Sequence, residues 1–158
     1  MRICIIISAA CGFLTFACGC VTESVIVLNQ TAPYAELMHS RYRLVEDCYI
    51  VSFTDSSRKD VYLTPGTVSY YRFPVPVTAE HIGEVVEKQK IMAVLPKGTV
   101  LEVIDIRRTR SVDYDHVHYF VRTVDDAVVP WNRLNAYRLM DSSKHPPGFK
   151  TQYMLTTG

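Results

Sequence analysis

Between residues 41 and 140 no apolar run continues for more than about eight residues before a proline, a glycine or a charge interrupts it. That interruption decides the fold class. The runs lie at 42–45, 48–53, 61–63, 91–95, 100–106, 116–124, 128–131 and 136–140, and they are rich in Val, Ile, Tyr and Phe. Short β-branched and aromatic runs bounded by turn formers are strand signals. Only one segment has helical spacing. Thr78 reads as an N-cap, and Ile82, Val85 and Val86 follow on one face, which predicts a single short helix over residues 79–88. The expected fold is mainly β, a small antiparallel sheet with one short helix.

Turn chemistry divides the runs. Residues 55–60 form a polar turn, and Pro65-Gly66 ends the third run. Pro96-Lys97-Gly98-Thr99 has Pro and Gly where a tight turn takes them, so residues 91–95 and 100–106 are expected to pair as a hairpin. Asp125-Asp126 marks another turn, and residues 132–135 a single helical turn. Residues 69–77 carry Tyr70, Tyr71 and Phe73 beside Pro74 and Pro76. Prolines lack the N–H that a central strand needs, so this segment belongs at a sheet edge or in a loop. Its three aromatics are the candidate binding surface, because such rings combine a large apolar face with access to a partner.

The first twenty residues are of another kind. Arg2 is their only charge, residues 3–17 are apolar apart from Ser8, Gly12 and Thr15, and the stretch closes on Ala17-Cys18-Gly19-Cys20. This is the pattern of a cleavable export leader, expected as a signal helix. An uncleaved anchor is the rival, since residues 3–21 approach the about twenty that span a bilayer, with Ser8 and two glycines against it. Gly19-Cys20 resembles the leader end of bacterial lipoproteins, where a small residue precedes a cysteine that is diacylated and becomes the mature N-terminus. The resemblance implies a signal peptide over 1–19, lipidation of Cys20, and attachment to the membrane on its periplasmic side. Val21 follows where Asp would retain a lipoprotein in the inner membrane, which implies the outer membrane. Ala17 stands where the family prefers Leu, and Cys18 is the alternative acylated residue.

Removing residues 1–19 of 158 leaves 139, the size of one domain, with 16 basic and 16 acidic residues. A formal charge of zero argues against a nucleic-acid partner, which needs a basic excess. Arg107, Arg108 and Arg110 are followed by Asp113 and Asp115, as in a solvated hairpin loop. The domain is expected over 41–140, preceded by a tether at 20–40 whose run at 25–28 could add a strand, and followed by a polar tail at 141–158. Cys4, Cys11 and Cys18 leave with the leader. With Cys20 acylated, Cys48 is the single thiol, inside an apolar strand, and reads as a small hydrophobe rather than a nucleophile. Cleavage before Cys18 would instead leave Cys20 free to pair with Cys48.

His116-Val117-His118 puts two imidazoles on one face of a strand, with Asp113 or Asp115 as a third metal ligand for a zinc site. Two imidazoles also make an ordinary polar face, and no metal or other cofactor is assigned. No nucleophile elbow, His-Glu-x-x-His pair or phosphate-cradling glycine loop occurs, so the chain reads as a non-enzyme. Gly98-Thr99, Tyr119 with Val121-Arg122, and Pro130-Trp131 resemble, in order, landmarks of the SH3-like domains of exported bacterial proteins. That resemblance covers residues 91–140 and implies an SH3-like barrel. The reading is a lipid-anchored cell-envelope protein, a binding or structural module for a protein or peptidoglycan. The alternatives are a metal-dependent envelope hydrolase using His116 and His118, and a small inhibitor or immunity lipoprotein.

Overall fold

The short β-branched runs become strands, in a computed structural model that describes residues 23–55, 60–69, 72–124, 131–144 and 146–157. The leader with Cys18 and Cys20, the pair Tyr70 and Tyr71, and the Asp125-Asp126 turn lie outside the described residues. The first six strands are β1 (Ser24–Val27), β2 (Arg41–Leu44), β3 (Cys48–Phe53), β4 (Val61–Pro65), β5 (Val85–Val86) and β6 (Gln89–Leu95). Six more follow: β7 (Val100–Arg110), β8 (Asp115–Thr123), β9 (Leu134–Asn135), β10 (Met140–Asp141), β11 (Gly148–Phe149) and β12 (Met154–Thr156).

Nine strands form a sheet path in the order β12-β2-β7-β8-β9-β4-β3-β6-β5, with β1 beside the far half of β7. The pairings are antiparallel except for one parallel bridge, Tyr62 to Asn135, between β4 and β9. The expected antiparallel sheet is present, mainly β as the sequence implies. Among the described residues the path is open, with β12 and β5 as its ends, and does not form the closed barrel that the SH3-like resemblance implied.

β3 is buried on both faces, and its alternation explains the two cores. Cys48 and Ile50 point into the main core with Leu44, Leu63, Leu95, Leu101, Val103, Ile106, Tyr119 and Val121. Tyr49 and Val51 point the other way, against Phe73, Val77 and Ile91. The outer side of β3 and β6 is thus covered by the loop that carries Phe73. Phe73 is 2% exposed and meets Tyr49 edge-on at 6.0 Å, so this part of the expected binding surface is core instead. Burying a ring of that size outweighs any edge position the flanking prolines would give it.

Three further expectations are corrected. Residues 79–88 do not form an α-helix. Ala79–His81 is one 3-10 turn, and Thr78 donates its backbone N–H to His81 Nδ1 at 3.0 Å. Gly83, at φ +95°, then turns the chain out of helical geometry, and β-branched Val85 and Val86 gain a ladder with β6. A ten-residue helix is marginal on its own, whereas the strand completes a sheet edge. The turn at 96–99 exists, with Thr99 N–H donating to Pro96 O, but the strands it joins do not pair. β6 pairs with β3 and β5, while β7 pairs with β1, β2 and β8. The turn's polar groups go elsewhere: Lys97 N–H donates to Asp47 Oδ1 at 2.7 Å and Gly98 N–H to Leu44 O at 2.9 Å.

The segments expected as tether and tail also enter the fold. Leu28 and Tyr34 are buried in the main core, and Asn29 Oδ1 accepts the Ile106 N–H at 2.7 Å. Behind the domain, Tyr119 donates its hydroxyl to Pro147 O at 2.6 Å, and Phe149 packs edge-on against Tyr42 and Tyr119. A buried phenol needs such a partner, and residues 141–157 supply it.

The β5–β6 hairpin turns on Glu87 and Lys88, both at positive φ (48° and 66°). That is the backbone of a two-residue type I′ turn, which favours Asn-Gly. Lys88→Gly relieves a left-handed cost and keeps the carbonyl that accepts from Thr54. It should raise stability by about 0.5–1 kcal/mol, a few degrees in Tm by thermal denaturation. A lowered Tm would show that the turn is not strained.

Candidate functional site: the outer face of the long hairpin

Residues alternate along β8, so Val117, Tyr119 and Val121 turn inward while His116, His118, Phe120 and Arg122 turn outward. Register with β7 sets Thr109 opposite His116, Arg107 opposite His118, Asp105 opposite Phe120 and Glu102 opposite Arg122. Glu102 and Asp105 are three residues apart and on a regular strand would face opposite ways. The register shift between Val103 and Asp105 inserts one residue and brings both carboxylates to the outer face.

Both acids are nearly buried, and arginines are what cover them. Asp105 Oδ2 accepts Arg107 Nε at 2.7 Å and Arg133 Nη1 at 2.9 Å. The Arg133 guanidinium lies 3.7 Å from the centre of the Phe120 ring, with Arg107 at 5.7 Å. Phe120 is 4% exposed although it faces away from the core, and the guanidiniums lie over its outer face. Burial pushes the Asp105 carboxyl up, but hydrogen bonds from Arg133 and Asn29, with the charge of Arg107, together hold it below the usual range. One row on, Glu102 accepts His39 Nδ1 at 3.0 Å and Arg122 Nη2 at 3.1 Å, with Arg41 Nη2 at 4.0 Å. The His39 hydrogen bond, helped by Arg122 and Arg41, lowers its carboxyl against the opposing effect of burial. An open groove of ≈ 550 Å³ lined by His39, Arg41, Arg43 and Thr157 continues this face.

Towards the hairpin tip the face becomes aromatic. Tyr137 packs against both imidazoles, 5.1 Å from His116 and 5.2 Å from His118, and Tyr114 stacks on His116 at 5.8 Å. Asn135, 1% exposed, holds the arrangement. Its Oδ1 accepts the Tyr137 N–H, and its Nδ2 donates to Asp60 Oδ2 at 3.1 Å and faces His118 Nδ1 at 3.2 Å. A donor aimed at Nδ1 favours the neutral imidazole with its proton on Nε2. Burial lowers the His118 pKa in the same sense.

His116 and His118 thus share a face, as their spacing implied. Of the two acids expected as a third ligand, Asp113 and Asp115, the second takes a two-pronged contact from Arg108, at 2.7 and 2.6 Å. Among the described residues no group of three His, Cys, Asp or Glu side chains is placed to hold a metal. Comparison with protein families, curated proteins and solved structures finds no match to this chain. The chemistry is therefore read from the face itself. Four arginines, Arg41, Arg107, Arg122 and Arg133, share two buried carboxylates, beside two imidazoles and two phenols. The alternation in His-Val-His-Tyr-Phe-Val-Arg marked one side of this face. Glu102, Asp105, Arg133, Asn135 and Tyr137 carried no such signal, since the bulge and the β9 pairing that bring them there are tertiary.

Cys48 is a free thiol, fully buried, and burial together with the charges of Glu46 and Asp47 pushes its pKa far up. Native protein should react with a thiol reagent at Cys48 at least a hundredfold more slowly than protein unfolded in guanidinium. Equal rates would place the thiol at the surface.

His118 should titrate below the ordinary value of about 6.5 in a proton NMR titration. A histidine depressed in the folded state favours folding when neutral. Its contribution is present above about pH 6.5 and is lost as pH falls through the lowered pKa. His118→Gln should flatten that part of the stability profile. A midpoint above 6.5 would contradict the burial geometry.

Proposed function

We propose that this is a lipid-anchored protein of the bacterial cell envelope that binds a protein or peptidoglycan partner on the outer face of β7 and β8, without catalysis of its own. The observation that carries the binding half is the unequal sharing of charge, four guanidiniums to two buried carboxylates. Each acid fixes the direction of its arginines without matching their charge, which leaves outward N–H donors preset for carboxylates on a partner. Tyr137, packed beside His116 and His118, adds a flat surface on which a sugar ring can rest. Peptidoglycan offers both carboxylates and sugars. The SH3-like resemblance over residues 91–140 belongs to the same proposal, as Gly98-Thr99 opens β7 and Tyr119, Val121 and Arg122 lie on β8.

The anchoring half rests on Gly19-Cys20. Among the described residues no helix is long and apolar enough to cross a membrane. Each buried CH₂ of a lipid chain contributes about 0.8 kcal/mol, and stable attachment takes two chains or more, which a diacylated cysteine has. Cys20→Ala should leave an unprocessed precursor without lipid mass, while Cys18→Ala should be processed normally. The reverse pattern moves the anchor to Cys18, and no effect from either removes the lipoprotein reading. For binding, the pair Arg41→Gln and Arg122→Gln should weaken sedimentation with purified peptidoglycan sacculi at least tenfold while circular dichroism shows the protein still folded at the assay temperature, at a Tm lowered by the loss of both cations beside Glu102. Unchanged sedimentation would take the binding face elsewhere.

A further inference from the structure

We infer that the tip of the β7–β8 hairpin and the exposed strand β1 rest on the surface of the bilayer, so that the anchored protein meets the membrane through protein as well as lipid. The inference rests on the lipid-anchor reading and adds to it a site and an orientation. Strand β1 enters the sheet beside the hairpin tip, with Ser24 opposite Arg110 and Val27 opposite Arg107. Cys20 precedes Ser24 by four residues, and an extended chain covers at most about 3.6 Å per residue. A lipid on Cys20 therefore holds Ser24, and the tip beside it, within about 14 Å of the acylated residue.

That end of the molecule is also where apolar surface gathers. Val112 at the tip is 86% exposed, and Val25, Ile26 and Val27 are each about half exposed. With Tyr114 these are five of the ten exposed large apolar side chains among the described residues, within one hairpin end and the strand beside it. β1 is an edge strand with all four residues exposed and one side paired, which in open solution invites a further strand. A bilayer interface covers such a strand without requiring the edge to leave water, since headgroups and their hydration can satisfy it. Tyr114 suits that depth, where phenols lie with the ring among apolar atoms and the hydroxyl in water. Arg108 and Arg110, both paired with Asp115, are balanced in charge by Asp113 and Asp115, so the tip is close to neutral and its contact depends on apolar surface more than on lipid charge.

The same geometry sets the height of the binding face. β8 rises about 3.4 Å per residue, so Arg122 stands about 24 Å beyond Asp115 along the strand. With the tip on the membrane, the arginines are presented outward to a partner above the headgroups.

The test uses the full-length, lipidated protein in vesicles of phosphatidylethanolamine and phosphatidylglycerol, some with bromine on the acyl chains. An environment-sensitive fluorophore is placed at Val112→Cys or, at the opposite end of β7, at Lys97→Cys; Cys48 is buried and Cys20 acylated. Bromine should quench the label at 112 at least threefold more than the label at 97. Equal quenching, with lipid mass confirmed, overturns the inference and leaves the anchor intact. Absence of lipid mass overturns both. A disulfide-linked dimer formed through Ile26→Cys in the vesicles, with weak quenching at 112, would assign the β1 edge to a second copy and likewise overturn the membrane contact.

Discussion

The pairing of β7 with β8 is the interaction on which the rest of the molecule depends. Eleven residues of β7 are long enough to serve three neighbours: β8 along one side, and β2 followed by β1 along the other. Its inward side chains Leu101, Val103 and Ile106 form the middle of the main core, and its outward ones carry the two buried acids. Because both faces of one strand are engaged, core packing and the polar face cannot shift independently. A slip of one residue in the register would send every one of these side chains to the wrong side.

The register shift before Asp105 is the point where packing and binding chemistry meet. It costs part of a hydrogen-bond ladder and gives in exchange two carboxylates on one face, each approached by two cations. Neither acid would be tolerated so deeply without those partners, and neither arginine pair would be so well oriented without the acids. Phe120 completes the device by offering a flat ring beneath Arg133, so that an outward-facing apolar residue is covered by charge instead of by core. The same logic holds at Asn135, where one buried amide directs Tyr137, Asp60 and His118 at once.

The sequence was informative wherever the relevant period was local. Cys48 to Phe53 and His116 to Thr123 lie in strands close to where their β-branched and aromatic composition put them, because each buries its own alternating face. It misled where a local pattern met a stronger tertiary demand. Ile82, Val85 and Val86 sit at helical spacing, yet Val85 and Val86 are worth more as a strand beside β6 than as one face of a short helix. Phe73 looks available just before Pro74 and Pro76, but Tyr49 and Val77 offer it burial. Residues 148–156 have no period at all, and still Phe149, Tyr153 and Met154 fill the core from that end.

By itself, then, the chain determined its β class, the buried thiol of Cys48 in β3 and the alternation that sets His116 and His118 on one side of a strand. These follow from spacings of one or two residues, which backbone geometry converts directly into direction. Which strands pair was decided only in three dimensions, as the separated partners of the Pro96 to Thr99 turn make plain. So was the meeting of Glu102, Asp105, Arg41, Arg122 and Arg133, drawn from four segments up to about ninety residues apart. Each of those charges is ordinary in its own stretch of sequence, and only the shared burial of two carboxylates, a property of the folded sheet, makes them a site.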